Sequence, residues 1–154
     1  MSVAFRRESD EEHKEPRFEL PLPPGPNLVT PRGLEQIRAK VLELEARVAA
    51  ESDETALAEA KRDLRYWQTR QATAQLAPAP AGDEVAFGCR VRFRLNGAER
   101  TLRIVGDDES DPPNGFLSFS APLAQALIGA CEGDLVDFGG KPEAIEVLEV
   151  SAAG

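Results

Sequence analysis

The apolar residues of this chain change their period once, around Ala77–Gly82, and that change limits what the chain can fold into. Before it, Leu34, Ile37, Val41, Leu44 and Val48 recur at alternating steps of three and four. After a break at Glu51-Ser52-Asp53-Glu54 the same spacing resumes through Leu57, Ala60, Leu64, Trp67, Gln71 and Ala74. That spacing lays a narrow apolar seam along a helix. Beyond Gly82, Val91, Phe93 and Leu95 alternate with Arg90, Arg92 and Arg94, the period of a strand with one buried face. A helical half followed by a strand-rich half, without regular strand–helix alternation, predicts an α+β chain.

The chain divides into segments on this basis. Residues 1–29 are expected to be a disordered acidic and proline-rich arm, in which Phe5, Phe18 and Leu20 remain candidates for docking on a partner. Thr30-Pro31 is a helix start: threonine caps, and proline is tolerated at the first helical position because its missing N–H has no helical partner to lose. Residues 30–77 then form an antiparallel coiled-coil hairpin of two helices, each about 20 residues and about 30 Å long at 1.5 Å per residue. Tyr66 and Trp67 are expected near its base, packing on the C-terminal segment. Residues 78–82 are a linker, and 83–151 a small antiparallel-sheet domain with one short helix. In that domain Asn96-Gly97 marks a tight hairpin turn, and Glu99–Val105 is the return strand. Asp107–Gly115 is a loop and Phe116–Phe119 a third strand. A helix opened by Pro122 turns Leu123, Ala126 and Leu127 inward and stops at Gly129. Leu135–Phe138 and Ala144–Val150 complete the sheet across Gly139-Gly140.

Charge narrows the function. Of the net −9, residues 78–154 carry most, with 13 acidic side chains against 6 basic ones. Such a surface repels phosphate backbones, so nucleic acid is expected as a contact only through a protein partner. No apolar run is long enough to span a membrane, and the N-terminus is too charged for a secretory signal. Cys89 and Cys131 lack metal-site spacing and read as free, partly buried thiols of a reducing cytoplasm; His13, in a charged stretch, reads as solvated. A cytoplasmic monomer without metal or cofactor is the expectation.

The most specific stretch is Arg103–Gly129. Four acids, Asp107, Asp108, Glu109 and Asp111, precede a helix start that carries Ser120, Pro122, Leu123 and Leu127. Acids beside apolar anchors suit a basic, amphipathic partner helix, the acids steering and the apolar residues holding. The run RIVG, an acidic loop and SAPLAQALIG, in this order, closely resemble the C-terminal region of the GreA/GreB transcript-cleavage and elongation factors, whose corresponding helix reads SPLARALIG. VAFGCRVRF is similar to that family's first strand, VxFGxxVxx, and LVTPRGLEQI to the start of its first helix. The resemblance covers most of residues 28–150, and the arm before Leu28 has no counterpart. It implies an FKBP-like fold for the C-terminal domain, docking on a coiled coil at the rim of the RNA polymerase secondary channel, and a hairpin directed into that channel.

The hairpin tip departs from the family. Cleavage-inducing members carry an aspartate and a glutamate in a DLxEN turn, which help to hold a magnesium ion and water at the scissile RNA phosphate. Here Asp53 is followed three residues later by Ala56, and both helices are about three turns shorter, which removes ~15 Å of reach. A short-armed relative, the regulator of nucleoside diphosphate kinase, resembles the chain better in this respect. Ser52 or Asp53 is expected to cap the second helix; the alternative is that Glu51, Asp53 and Glu54 lend ligands to the polymerase metal. The resulting expectation is a non-enzymatic elongation factor that binds RNA polymerase. A cleavage-stimulating factor is the alternative. A prolyl isomerase is a weaker one, because the C-terminal segment has neither Trp nor Tyr to floor such a pocket.

Overall fold

The computed structural model describes residues 19–152. His13, Phe5, Phe18 and the rest of the arm up to residue 18 lie outside the described residues. By internal contacts the chain forms two units: residues 19–25 with Glu35–Ala74, and Pro26–Leu34 with 75–152.

The first unit is the helical hairpin. Helix α1 runs Pro31–Ala50, with its first turn grouped in the second unit, and α2 runs Glu54–Thr73. The predicted seam is realised where Ile37, Val41 and Leu44 of α1 and Ala60 of α2 are buried. Leu64 and Trp67 are only half-buried, and the Trp67 ring meets Tyr66 edge-on at 5.1 Å. From residue 19 the arm departs from the disorder expected of it. Glu19 accepts two hydrogen bonds from Arg65, at 2.7 and 2.8 Å, and Leu20 and Leu22 lie against the same face of α2. A fork-to-fork arginine–carboxylate pair supplies the geometry that the proline-rich composition did not announce.

The second unit is a five-stranded sheet with a short helix. The strands are β3 Cys89–Leu95, β4 Ala98–Val105, β5 Phe116–Ser118, β6 Leu135–Phe138 and β7 Lys141–Ala152, in the order β5-β4-β3-β7-β6. Asn96 and Gly97 take φ of 51° and 88°, the left-handed backbone of the predicted turn. The sheet is mixed, not wholly antiparallel, because β5 returns alongside β4 in parallel. Alternation buries Cys89, Val91 and Phe93 of β3 against Ile104 of β4 and Val147 and Val150 of β7. Val147 and Val150 are three residues apart, yet both face the core. The register shifts by one there, Arg92 pairing with Glu149 and Phe93 with Val147, so Leu148 is the extra residue of a bulge. On the outer face Arg92 reaches Glu99 and Glu149, and Arg94 reaches Glu146, an exposed ladder worth little per pair.

A second, two-stranded sheet was not anticipated. β1, Leu28–Val29, immediately precedes α1, and β2, Gln75–Leu76, immediately follows α2; the two pair in parallel. This places Pro26–Leu34 with the sheet domain instead of with the arm or the hairpin. Gly106 lies beside this strand, where a Cβ would stand 2.3 Å from the Leu28 carbonyl oxygen, so only glycine fits.

Candidate functional site

The acidic segment is a folded element, not a solvated loop. Asp107–Glu109 and Pro112–Asn114 each form a 3-10 turn. Asp111 and Phe116 exchange backbone hydrogen bonds at 2.8 and 3.2 Å, and the Asn114 side-chain amide donates to Asp111 Oδ2 at 2.8 Å. Asp107, Glu109 and Asp111 therefore each have a set direction. Asp107 Oδ1 accepts hydrogen bonds from the hydroxyls of Ser118 and Ser120, the latter at 2.7 Å. Ser118 lies at the end of β5 and Ser120 just before the helix, so this one carboxylate fastens the acidic turn to the helix start. Asp108 is half-buried and Asp111 exposed.

Glu109 points the other way, and its assignment to a partner-binding surface is corrected accordingly. Its side chain is 2% exposed. Oε1 accepts from the Thr30 hydroxyl at 2.6 Å and Oε2 from Arg32 Nη1 at 2.7 Å. Thr30 in turn accepts the Gly33 N–H at 2.9 Å, the capping bond expected of it. The carboxylate thus sits at the positive N-terminal end of α1 with a guanidinium beside it, and this compensates its removal from water.

The short helix α3, Pro122–Leu127, begins at Pro122 as predicted. Leu127 is fully buried, as is Ala124, which the apolar spacing did not assign to the core. Leu127 is therefore a packing residue and unavailable as a surface anchor. Leu123 is half-buried, whereas Pro122, Ser120 and Ile128 are exposed. Gln125 anchors the helix by donating to the Phe119 carbonyl at 2.6 Å. The exposed set is thus Asp111, Ser120, Pro122 and Ile128, with Asp107, Asp108 and Leu123 at its margin.

At the hairpin tip Asp53 caps α2 by accepting the Ala56 N–H at 2.9 Å, and Glu51 accepts the Asp53 N–H at 3.0 Å. Glu54 occupies the first helical turn, where its charge complements the helix dipole. The three tip acids are thus explained by local structure. Among the described residues no group of three or more His, Cys, Asp or Glu is arranged to share a metal ion. Cys89 is buried and Cys131 exposed, both as free thiols. Desolvation pushes the Cys89 thiol above its ordinary range; at Cys131 desolvation acts the same way, aided by Asp134, Glu84 and Asp83.

Comparison with known proteins finds relatives of the sheet domain. Residues 79–152 match the family described as transcription elongation factor, GreA/GreB, C-terminal. The chain is 40% identical over 75 residues to transcription elongation factor GreA of Rhizobium etli, covering 46% of this chain and 48% of that protein. It is 39% identical over 84 residues to GreA of Desulfovibrio desulfuricans, covering 52% and 51%. The chain therefore spans about half the length of the relatives it matches. Among solved structures it is similar to GreA factor homolog 1 of Thermus thermophilus, with a TM-score of 0.40 at 15% identity over 83% of this chain and 100% of that one. A GreA/GreB factor from Nitrosomonas europaea gives 0.39 at 21% identity, over 83% and 99%.

Proposed function

Through residues 79–152 the chain belongs to the GreA/GreB family of transcription elongation factors, and on that premise we propose that it docks on RNA polymerase at the secondary-channel entrance. The observation that carries this reading is the Asp107 carboxylate bound to both Ser118 and Ser120. That bond makes the acidic turn and the start of α3 one face, acidic on one side and apolar on the other. Such a face suits a basic, amphipathic helix of the partner, with Asp108 and Asp111 steering and Pro122, Leu123 and Ile128 anchoring. Ile128 takes the anchoring part expected of Leu127, because it is exposed and Leu127 is not.

The factor modulates elongation without being an enzyme and without stimulating transcript cleavage. Asp53 is engaged as the cap of α2 and Glu51 with the Asp53 N–H, and each helix is 20 residues long, or ~30 Å. Metal coordination tolerates only small errors of position, and here Asp53 is already held by the Ala56 N–H. None of the described helices is long and apolar enough to cross a membrane, and the site of action we propose is the cytoplasm, where the polymerase works. Backtracked elongation complexes test the non-catalytic part. Added factor should leave the rate of RNA cleavage at its intrinsic value. An acceleration that disappears on Asp53→Ala/Glu54→Ala would establish the cleavage-stimulating alternative.

A further inference from the structure

Arg32 stands where a cation is disfavoured on a helix. It is in the first turn of α1, at the positive end of the helix dipole, an end that Thr30 already caps. Burial does not account for its place either, because 47% of the side chain remains exposed. Two contacts hold it there. Nη1 donates to Glu109 Oε2 at 2.7 Å, and the guanidinium carbon lies 4.3 Å from the centre of the Phe116 ring. Arg103 also approaches that ring, but at 6.0 Å, the outer limit of a cation–π contact. The two partners of Arg32 lie at opposite ends of one segment. Glu109 opens it, Phe116 closes it, and Asp111 and the Pro112–Asn114 turn stand between them. Asp108 immediately precedes Glu109. One side chain therefore clasps the acidic turn at both ends.

We propose that Arg32 is a positioning residue of the polymerase-docking face, acting through Glu109 and Phe116 and not by contact with the partner. It holds Asp108 and Asp111 in the direction from which they steer, and this assignment rests on the docking reading. A turn fixed at both ends has lost its freedom before the partner arrives, so ordering it does not weaken the complex. Arginine suits the task better than lysine. Its planar guanidinium pairs with a carboxylate along its edge and stacks on a ring through its face at the same time. The sign of the effect separates this role from a simple charge effect. By charge alone, loss of a cation beside an acidic face strengthens docking on a basic partner. Loss of the clasp weakens it.

Amide exchange of the free full chain, together with its equilibrium binding to purified RNA polymerase core enzyme, tests the assignment. Arg32→Gln should speed exchange at Asp111, Asn114 and Gly115, whose N–H groups are bonded within the turn. The buried amide of Val147, bonded to the Asp134 carbonyl in the sheet, should exchange as before. Affinity should fall with the fraction of molecules that keep the turn ordered, about fivefold where roughly one in five does. Arg32→Lys keeps the charge but not the stacking, and its affinity should lie between. Phe116→Leu should weaken binding too. The double variant Arg32→Gln/Phe116→Leu should lose no more than the larger single loss, because both substitutions open the same clasp. Unchanged or tighter binding by Arg32→Gln would overturn the assignment and leave the docking reading standing. Additive losses, or faster exchange that extends to Val147, would overturn it as well. A wild type that fails to bind the polymerase would remove the docking reading and the assignment with it.

Discussion

Glu109 and Arg32 are 77 residues apart in sequence and 2.7 Å apart in the fold. Their contact holds the first turn of α1 to the acidic turn that follows β4, and it removes one of four acids from the surface. The same carboxylate reaches Thr30, the residue that caps α1. A substitution at this point therefore reads out three things at once: a cap, an ion pair and a close approach.

The close approach is at Gly33, where a Cβ would stand 2.8 Å from Glu109 Oε1. Alanine in a helix ordinarily gains up to about 1 kcal/mol over glycine. Here Gly33→Ala should instead destabilise by roughly 1 kcal/mol, because the locked carboxylate must move. Glu109→Ala should cost about 2 to 3 kcal/mol, for the loss of charged hydrogen bonds to a buried acceptor. In the double variant the clash is gone and the helix preference returns, so its loss should be smaller than the sum of the singles by about 1 kcal/mol or more. Urea denaturation of all four proteins measures this, and additive losses would contradict the coupling.

The hairpin tip yields a separate expectation. Asp53→Ala removes the cap of α2 and should cost about 1 kcal/mol, seen as faster amide exchange at Ala56 and through the first turn. Because the proposed docking face is elsewhere in the chain, the affinity for RNA polymerase should not change. A large loss of affinity would instead assign the tip a direct contact with the polymerase.

The Glu19–Arg65 pair makes stability at one edge of the hairpin depend on pH. The hydrogen bond from Arg65 holds the Glu19 carboxyl below its ordinary range, with the charge of Arg65 and Arg62 adding to the effect against desolvation. A depressed carboxyl pKa contributes stability that is complete above the unfolded-state value and is lost as pH falls through the folded one. The pair is exposed, so its contribution is small and screened by salt. A carboxyl titration followed by NMR should show Glu19 protonating at a lower pH than a glutamate in a short unstructured peptide, with Leu20 and Leu22 shifting at the same pH. Arg65→Ala should return Glu19 to the ordinary range.

How much of this was legible in the sequence depends on how local each signal is. The hairpin could be read from the seam through Ile37, Val41 and Leu44, and the β3–β4 pair from alternation around Asn96-Gly97, because period and turn chemistry act between near neighbours. The pairing of Leu28–Val29 with Gln75–Leu76 could not be read. Two residues carry no period, and their partners lie across the whole hairpin. The direction of β5 was lost for the same reason: three residues fix no orientation, and the parallel pairing depends on the folded loop before it. At the candidate site, Pro122 was legible as a helix start. Glu109 was misplaced because an acid in an acidic run reads as solvated; Leu127 was rightly turned inward but wrongly counted as a surface anchor too, because an apolar residue at a helix end reads equally well as either. Only the positions of Thr30, Arg32 and Ala124 separate those readings.

The central claim is that residues 107–128 present a face for RNA polymerase. Equilibrium binding of the labelled full chain to purified RNA polymerase core enzyme tests it most directly, with Asp108→Asn and Pro122→Lys compared at equal melting temperature. The predicted result is saturable binding by the wild type and a loss of about tenfold or more in each variant, equivalent to about 1.4 kcal/mol. Full retention of affinity by both variants would contradict the claim.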